Sequence, residues 1–302
     1  MIRTAAVCWI ALLLTPSGAS AQGCTGSPAA VQVLGSGGPR LKADRASASY
    51  LLWVDGQAKM LVDVGGGAFL RLGQAQARLG DLSLVAISHL HPDHVSDLPA
   101  LLWAERFQSR NAPLPIVGPS GNDTAPAFST FLSRLFDEKQ GAFPLLGPML
   151  GGKGDVGIGF RLDVSVVDVT KPEPSTVLDR QGMTVTALGI PHGNVPALAY
   201  RVQTRGVSIV FSSDQTGTNP RFIHFANGAN VLVMHLAAGA GASSDLHAPP
   251  SVVGAVARDA GVQRLIVSHI GPFDLGPAIE ELKKVYTGPL IVGTDLQCTP
   301  VP

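Results

Sequence analysis

From residue 30 onward the chain is written in short apolar runs punctuated by turn residues. Residues 30–34 read as a strand, closed by the turn Gly35-Ser36-Gly37-Gly38-Pro39. Residues 47–54 and 59–64 read as a hairpin around Asp55-Gly56, a pair that tolerates the positive φ of a tight hairpin turn. Gly65-Gly66-Gly67 follows, then an amphipathic segment at 68–79 and a strand at 82–88. Residues 95–106 have helical spacing, with Leu98, Leu101, Leu102 and Ala104 available for a core face, and 127–138 predict a second helix. The segment 141–159 is glycine-rich and apolar (Phe143, Leu145, Leu146, Met149, Leu150) and reads either as a loop over or beside a site or as a surface connector. Strands are predicted at 160–169, 183–189, 198–203 and 207–212. The pattern then switches to strand–helix alternation at 231–234, 251–259, 264–268, 277–286 and 290–292. Two blocks of strands, separated and flanked by helices, predict a layered α/β protein. No internal repeat and no dividing linker is visible.

The N-terminus departs from this pattern. Arg3 precedes a continuous apolar run at 5–14, Thr15-Pro16-Ser17-Gly18 break it, and Ala19-Ser20-Ala21 offer small residues for cleavage. Residues 1–21 are therefore expected to be a signal peptide, leaving 22–302 as a single domain that is exported to the periplasm or secreted. The run is too short for a membrane span of roughly 20 apolar residues, and no later run is long enough. Of three cysteines, Cys8 lies in the leader; Cys24 and Cys298 remain, near the two mature ends, where an oxidising compartment would let them pair.

Composition narrows the field further. With 45% hydrophobic and 15% charged residues the chain can bury a sizeable core. Formal net charge is +0, so no global basic field is available to hold nucleic acid. On that ground nucleic acid is not an expected partner.

The local chemistry is concentrated in Ser88-His89-Leu90-His91-Pro92-Asp93-His94, at the end of a predicted strand. Imidazole and carboxylate ligands suit zinc, manganese or iron. Alternation along the strand end aims His89 and His91 the same way, and the following turn can aim Asp93 and His94 at a neighbouring point. With eight histidines in the whole chain, three in this one segment point to a metal site rather than to chance.

The motif His-x-His-x-Asp-His after a strand resembles that of the metallo-β-lactamase superfamily, and later segments fall in the order that family shows. Asp63-Val64-Gly65 resembles its first aspartate, which supports the metal site from behind the ligands. Pro191-His192 resembles its next metal histidine, Ser212-Ser213-Asp214 its bridging aspartate and Val267-Ser268-His269 its last histidine ligand. The resemblance implies a four-layer αβ/βα sandwich with two divalent ions at one edge of the sheets, zinc first and manganese or iron as alternatives. One ion would be held by His89, His91 and His192, the other by Asp93, His94 and His269, with Asp214 between them. It also admits a homodimer.

The stretch from His192 through Pro196-Ala197-Leu198-Ala199-Tyr200-Arg201-Val202, together with His247 before a predicted helix, resembles the ribonuclease Z, arylsulfatase and cyclic-nucleotide phosphodiesterase branch. The mechanism this implies is attack on an ester, foremost a phosphodiester, by a hydroxide bridging the ions. Asp93 belongs to the catalytic centre, and His247 assists the leaving oxygen. The branch often carries a glutamate where this chain has His235, which leaves His235 as a supporting residue, a substrate contact or a buried neutral histidine. His224 has no motif around it. Neutral charge, the apparent leader and the apolar 141–159 segment together favour a small or partly hydrophobic ester over RNA. A lactonase or β-lactamase with the same ligands, and a metal-binding protein without hydrolytic activity, are the alternatives.

Overall fold

The computed structural model describes Cys24 and residues 26–152, 157–242 and 244–302; the expected leader lies outside them. Two seven-stranded sheets carry the architecture. The first is ordered β14-β1-β2-β3-β4-β5-β6, from β1 (Ala29–Gly35), β2 (Ser49–Val54), β3 (Gln57–Val62), β4 (Leu84–Ala86), β5 (Leu114–Pro119), β6 (Leu162–Val167) and β14 (Cys298–Pro300). The second is ordered β13-β12-β11-β10-β9-β8-β7, from β7 (Ser175–Arg180), β8 (Met183–Ile190), β9 (Ala197–Thr204), β10 (Val207–Phe211), β11 (Val231–His235), β12 (Leu265–Ser268) and β13 (Leu290–Val292). Helices α1 (Ala68–Gln74), α2 (Pro92–Val95), α3 (Leu98–Ala104) and α4 (Phe128–Phe136) accompany the first sheet in sequence. Helices α5 (Pro220–Ala226), α6 (Pro250–Asp259) and α7 (Leu275–Lys283) accompany the second.

Three separate apolar clusters show how these layers stack. Leu51, Leu61 and Ile116 of the first sheet pack with Leu72, Leu101 and Phe128 of its helices. Tyr50, Leu52 and Met60 from the first sheet meet Tyr200, Ile209 and Val233 from the second. Val210, Leu232 and Met234 then pack with Phe222, Val253 and Leu282 of α5, α6 and α7. Successive residues of one strand thus serve different cores, because side chains alternate across a sheet. Strands buried on both faces are mostly apolar, as β1 and β2 are; their polar exceptions, Gln32 and Ser49, are hydrogen-bonded to Trp53 and to the Asp63 carbonyl. The result is the expected αβ/βα sandwich.

The elements the pattern predicts are present with shifted ends. The helix expected at 95–106 is shorter, Leu98–Ala104, and Asp97 just before it turns its carboxylate to accept the Gly67 and Phe69 amides at the start of α1 (2.8 and 3.0 Å). The amphipathic segment at 68–79 is helical only as far as Gln74. The short strands β5, β7 and β14 and the helix α5 were not anticipated; the only apolar residues of β7 are the adjacent Val177 and Leu178, so it carries no alternation to detect. Cys24 and Cys298 form a disulfide that ties the start of β1 to the start of β14.

β3 through β6 run parallel, as do β10 through β13. Their C-terminal ends gather at one edge of the sandwich, where open α/β sheets place their ligand crevices. Three residues just past these ends have left-handed backbones without being glycine: Asp63 (φ 58°), Ser213 (φ 55°) and His269 (φ 53°). Such conformations persist only where surroundings hold them, and they concentrate at functional sites.

Candidate metal centre

Eight of the residues singled out from the sequence converge at this edge. Asp63 follows β3, the His89–His94 segment follows β4 into α2, His192 follows β8, Asp214 follows β10 and His269 follows β12. Ligand atoms of His89, His91, His192 and Asp214 lie within 4.8 Å of one another, and so do those of Asp93, His94 and His269. His247 joins them from the loop before α6, its Nδ1 3.9 Å from Asp214 Oδ2. His224 is exposed on α5, away from the cluster.

The distal ring nitrogens are taken by protein groups, which decides what the near ones can do. Asp63 accepts the Ser88 amide on Oδ1 and the Ser88 hydroxyl on Oδ2 (both 2.7 Å), and His94 Nδ1–H donates to the same Oδ2 at 2.8 Å. The Ser88 hydroxyl, having given its proton to Asp63, accepts from His89 Nδ1–H at 3.0 Å. His192 Nδ1–H donates to the Leu246 carbonyl at 3.0 Å. His89, His94 and His192 therefore each present Nε2 to the interior of the cluster, the orientation that supporting hydrogen bonds give to metal-binding imidazoles.

Those inward nitrogens face one another. His94 Nε2 and His269 Nε2 are 3.3 Å apart, His192 Nε2 and His91 Nδ1 3.4 Å, and His89 Nε2 and His91 Nδ1 3.0 Å. Two imidazole nitrogens bound to one tetrahedral zinc at about 2.0–2.1 Å would stand roughly 3.3 Å apart. Among His89, His91 and His192, crowded lone pairs in a dry site are unfavourable unless something positive lies between them, so the donor set fits divalent metal.

The charges agree. Burial, reinforced by His94, pushes the His89 pKa well below its ordinary value. Burial and His192 do the same, less strongly, at His91. At His94 burial opposes the cationic form, but Asp63 and Asp214 outweigh it and raise the pKa well above the usual histidine range. Burial likewise opposes ionisation of Asp214, and the surrounding histidines, His269 first, overcome it and hold the carboxyl well below the usual range. His247 is lowered by burial, against the pull of Asp214.

His235 is drawn into the cluster in a way the sequence left open. Its Nδ1 is 2.5 Å from Asp214 Oδ1, its Nε2 3.0 Å from the Tyr50 hydroxyl, and its ring stacks on His269 at 4.6 Å. Burial lowers its pKa to about 4 despite the neighbouring carboxylate, so it is a buried neutral histidine that supports Asp214. Tyr50, the Ser88 hydroxyl and the Leu246 carbonyl were missed. Only Ser88 carried a signal, its place directly before the histidine motif.

The described part of the apolar segment, 141–152 and 157–159, contains a short 3-10 helix at Pro144–Leu150 beside the motif. With α3 and α4 it borders a cavity of about 740 Å³ lined by Leu90, Pro92, Trp103, Phe131, Phe143 and Leu145. Leu90 and Pro92 alternate with His91 and Asp93, so cavity and cluster share one stretch of chain.

With this geometry the family match is decisive: a Beta-lactamase superfamily domain matches residues 59–270, which span every residue of the cluster. The chain belongs to the metallo-β-lactamase superfamily. It is a metal-dependent hydrolase. Ribonuclease Z of Mycobacterium bovis is 29% identical over 293 residues, covering 88% of this chain and 96% of the relative. The metallo-β-lactamase fold protein YhfI from Bacillus subtilis superposes with a TM-score of 0.68 at 22% identity, over 90% of this chain and 99% of that one. The short form of human tRNase Z superposes with a TM-score of 0.70 at 19% identity, over the same shares of 90% and 99%.

Two expectations are corrected by these relatives. A small-molecule ester as partner, with no nucleic acid, conflicts with relatives that are by name RNA-cleaving enzymes along almost their whole length. Net charge misled because it averages the entire surface, whereas a site holding divalent ions has its largest positive charge in the ions themselves. Export is overturned by the same relatives, since RNA is made and matured inside the cell; the apolar run at residues 5–14 and the small residues after it had suggested a leader.

Proposed function

We propose that this hydrolase is a phosphodiesterase of the ribonuclease Z kind, holding two divalent ions, zinc first, and cleaving a phosphodiester bond in RNA. The observation that carries the reading is the position of His247. It stands among the ligand histidines, its ring 5.3 Å from that of His192 and 5.9 Å from that of His269, and its Nδ1 is buried with no hydrogen-bond partner, Asp214 Oδ2 standing 3.9 Å away. A ring held at a metal cluster by no hydrogen bond of its own is free to serve a substrate atom.

His89, His91 and His192 would hold one ion, Asp93, His94 and His269 the other, and Asp214, whose Oδ2 lies 3.6–3.8 Å from the nitrogens of His89, His94 and His192, would bridge them. Ions so placed supply Lewis acidity, both lowering the pKa of water and neutralising phosphoryl charge. His247 gives a proton to the leaving ribose oxygen, which would otherwise depart as an unstable alkoxide. Asp93 lies at the mouth of the site, and histidine contacts hold its carboxyl below the usual range in spite of burial; it takes up a proton from the attacking water. The names of the relatives support RNA as the substrate class.

The test incubates the full chain, with metal content measured on the same sample, with a precursor transfer RNA carrying a 3′ trailer. Bis(p-nitrophenyl) phosphate, nitrocefin and an acyl-homoserine lactone are run beside it. Metal-dependent cleavage of the RNA and of the model diester is expected. Turnover of nitrocefin or lactone with both phosphodiesters intact would move the protein to a lactamase or lactonase role.

A further inference from the structure

The two oxygens of Asp214 have different surroundings. Oδ2 faces the nitrogens of His89, His94 and His192. Oδ1 is bound by His235 Nδ1 at 2.5 Å and stands 3.4 Å from His269 Nε2, and His235 Nε2 is 3.0 Å from the Tyr50 hydroxyl. Tyr50 belongs to β2 of the first sheet, His235 to the end of β11 in the second, and both are buried (1% and 5% exposed). The chain Tyr50–His235–Asp214 therefore crosses the interface between the two sheets and ends on the carboxylate placed between the two ligand groups.

Its hydrogen-bond direction follows from donor counting. An ionised carboxylate only accepts, so His235 Nδ1 must carry the proton, which leaves Nε2 as an acceptor and makes the Tyr50 hydroxyl its donor. The His235 amide is fixed as well, donating to the Ser212 hydroxyl at 3.3 Å.

We propose that Tyr50 is a positioning residue that acts through His235 to hold Asp214 by its Oδ1, with Oδ2 presented to both metal positions. The inference rests on the metal-centre reading but not on the identity of the substrate. A rival assignment makes His235 itself a ligand, since Asp214, His235 and His269 also converge within 4.8 Å. Both its nitrogens are engaged elsewhere, which argues for the positioning role.

The test loads the full chain with cobalt(II), whose visible bands report ligand geometry, and measures affinity by chelator competition. Tyr50→Phe removes only the hydroxyl and keeps the ring against Phe211, 5.9 Å away. Affinity is expected to fall about tenfold, with a shifted cobalt band and a lower kcat at unchanged KM on bis(p-nitrophenyl) phosphate. His235→Asn, which keeps a donor toward Asp214, should retain more affinity than His235→Leu. Wild-type affinity and spectrum in Tyr50→Phe and in both His235 variants would overturn the proposal. So would loss of one full cobalt equivalent in His235→Leu with Tyr50→Phe unaffected, which would make His235 a ligand. A wild-type chain that takes up no cobalt would instead overturn the metal centre itself, and the positioning role with it.

Discussion

Asp63 and His94, 31 positions apart in sequence, meet in the buried floor of the site, with His94 Nδ1–H donating to Asp63 Oδ2 at 2.8 Å. The same carboxylate holds both the amide and the hydroxyl of Ser88, so one side chain sets the orientation of the whole histidine segment. Asp63→Asn tests this without disturbing the backbone, because asparagine tolerates the left-handed conformation that Asp63 adopts. An amide cannot accept all three hydrogen bonds. Metal affinity is expected to fall about 10–100-fold, read by chelator competition, and wild-type affinity would show that Ser88 and His94 orient themselves.

His94 also sets the sign of a pH effect. Its pKa in the metal-free fold is raised well above the ordinary value by Asp63 and Asp214, which outweigh burial, so near neutral pH it carries a proton that a metal must displace. Metal uptake should release protons, and affinity should fall as pH drops. Calorimetric titration in two buffers of different ionisation enthalpy measures the number released; an identical heat in both would contradict the assignment.

His247→Ala should leave metal content unchanged, because the ligand sets are complete without it. Loss of rate depends on the leaving group. With a ribose oxygen the loss should be of the order of 10²–10⁴-fold, and with p-nitrophenolate, which leaves without a proton, far smaller. Equal losses on the RNA and on bis(p-nitrophenyl) phosphate would remove His247 from leaving-group protonation.

Gly65 shows why the Asp63-Val64-Gly65 segment needs a glycine. A Cβ there would stand 2.1 Å from the carbonyl oxygen of Asp93 and 2.9 Å from that of Ala48, both backbone atoms that cannot turn aside. Gly65→Ala should push the Asp93 segment out of place. The expected result is a lower melting temperature and less than a full complement of metal per chain. An unchanged metal count would mean that the α2 turn moves as a unit.

Much of this was legible in the sequence because the relevant physics is local. The His89–His94 segment puts four potential ligands on one turn, and the single aspartates and histidines at other strand ends were picked out by their resemblance to the motif order of the metallo-β-lactamase superfamily. The β1 to β3 hairpin and the alternation after residue 231 were readable because their strands are apolar and their turns chemically marked. β7 and α5 were not, since a strand whose only apolar residues are adjacent and a seven-residue helix leave little periodic signal. The partner was misread because total charge reports an average, while recognition depends on charge at one edge.

By itself the sequence determined the layered α/β class, the metal-binding chemistry and the residues able to carry it, because ligand type and strand periodicity are properties of short segments. Only the tertiary structure decided which of them meet. The stacking of two sheets brings Tyr50 within 3.0 Å of His235 and His94 within 3.3 Å of His269, distances set by packing across the interface between the sheets. No short stretch of chain contains that interface, so no local pattern could have announced it.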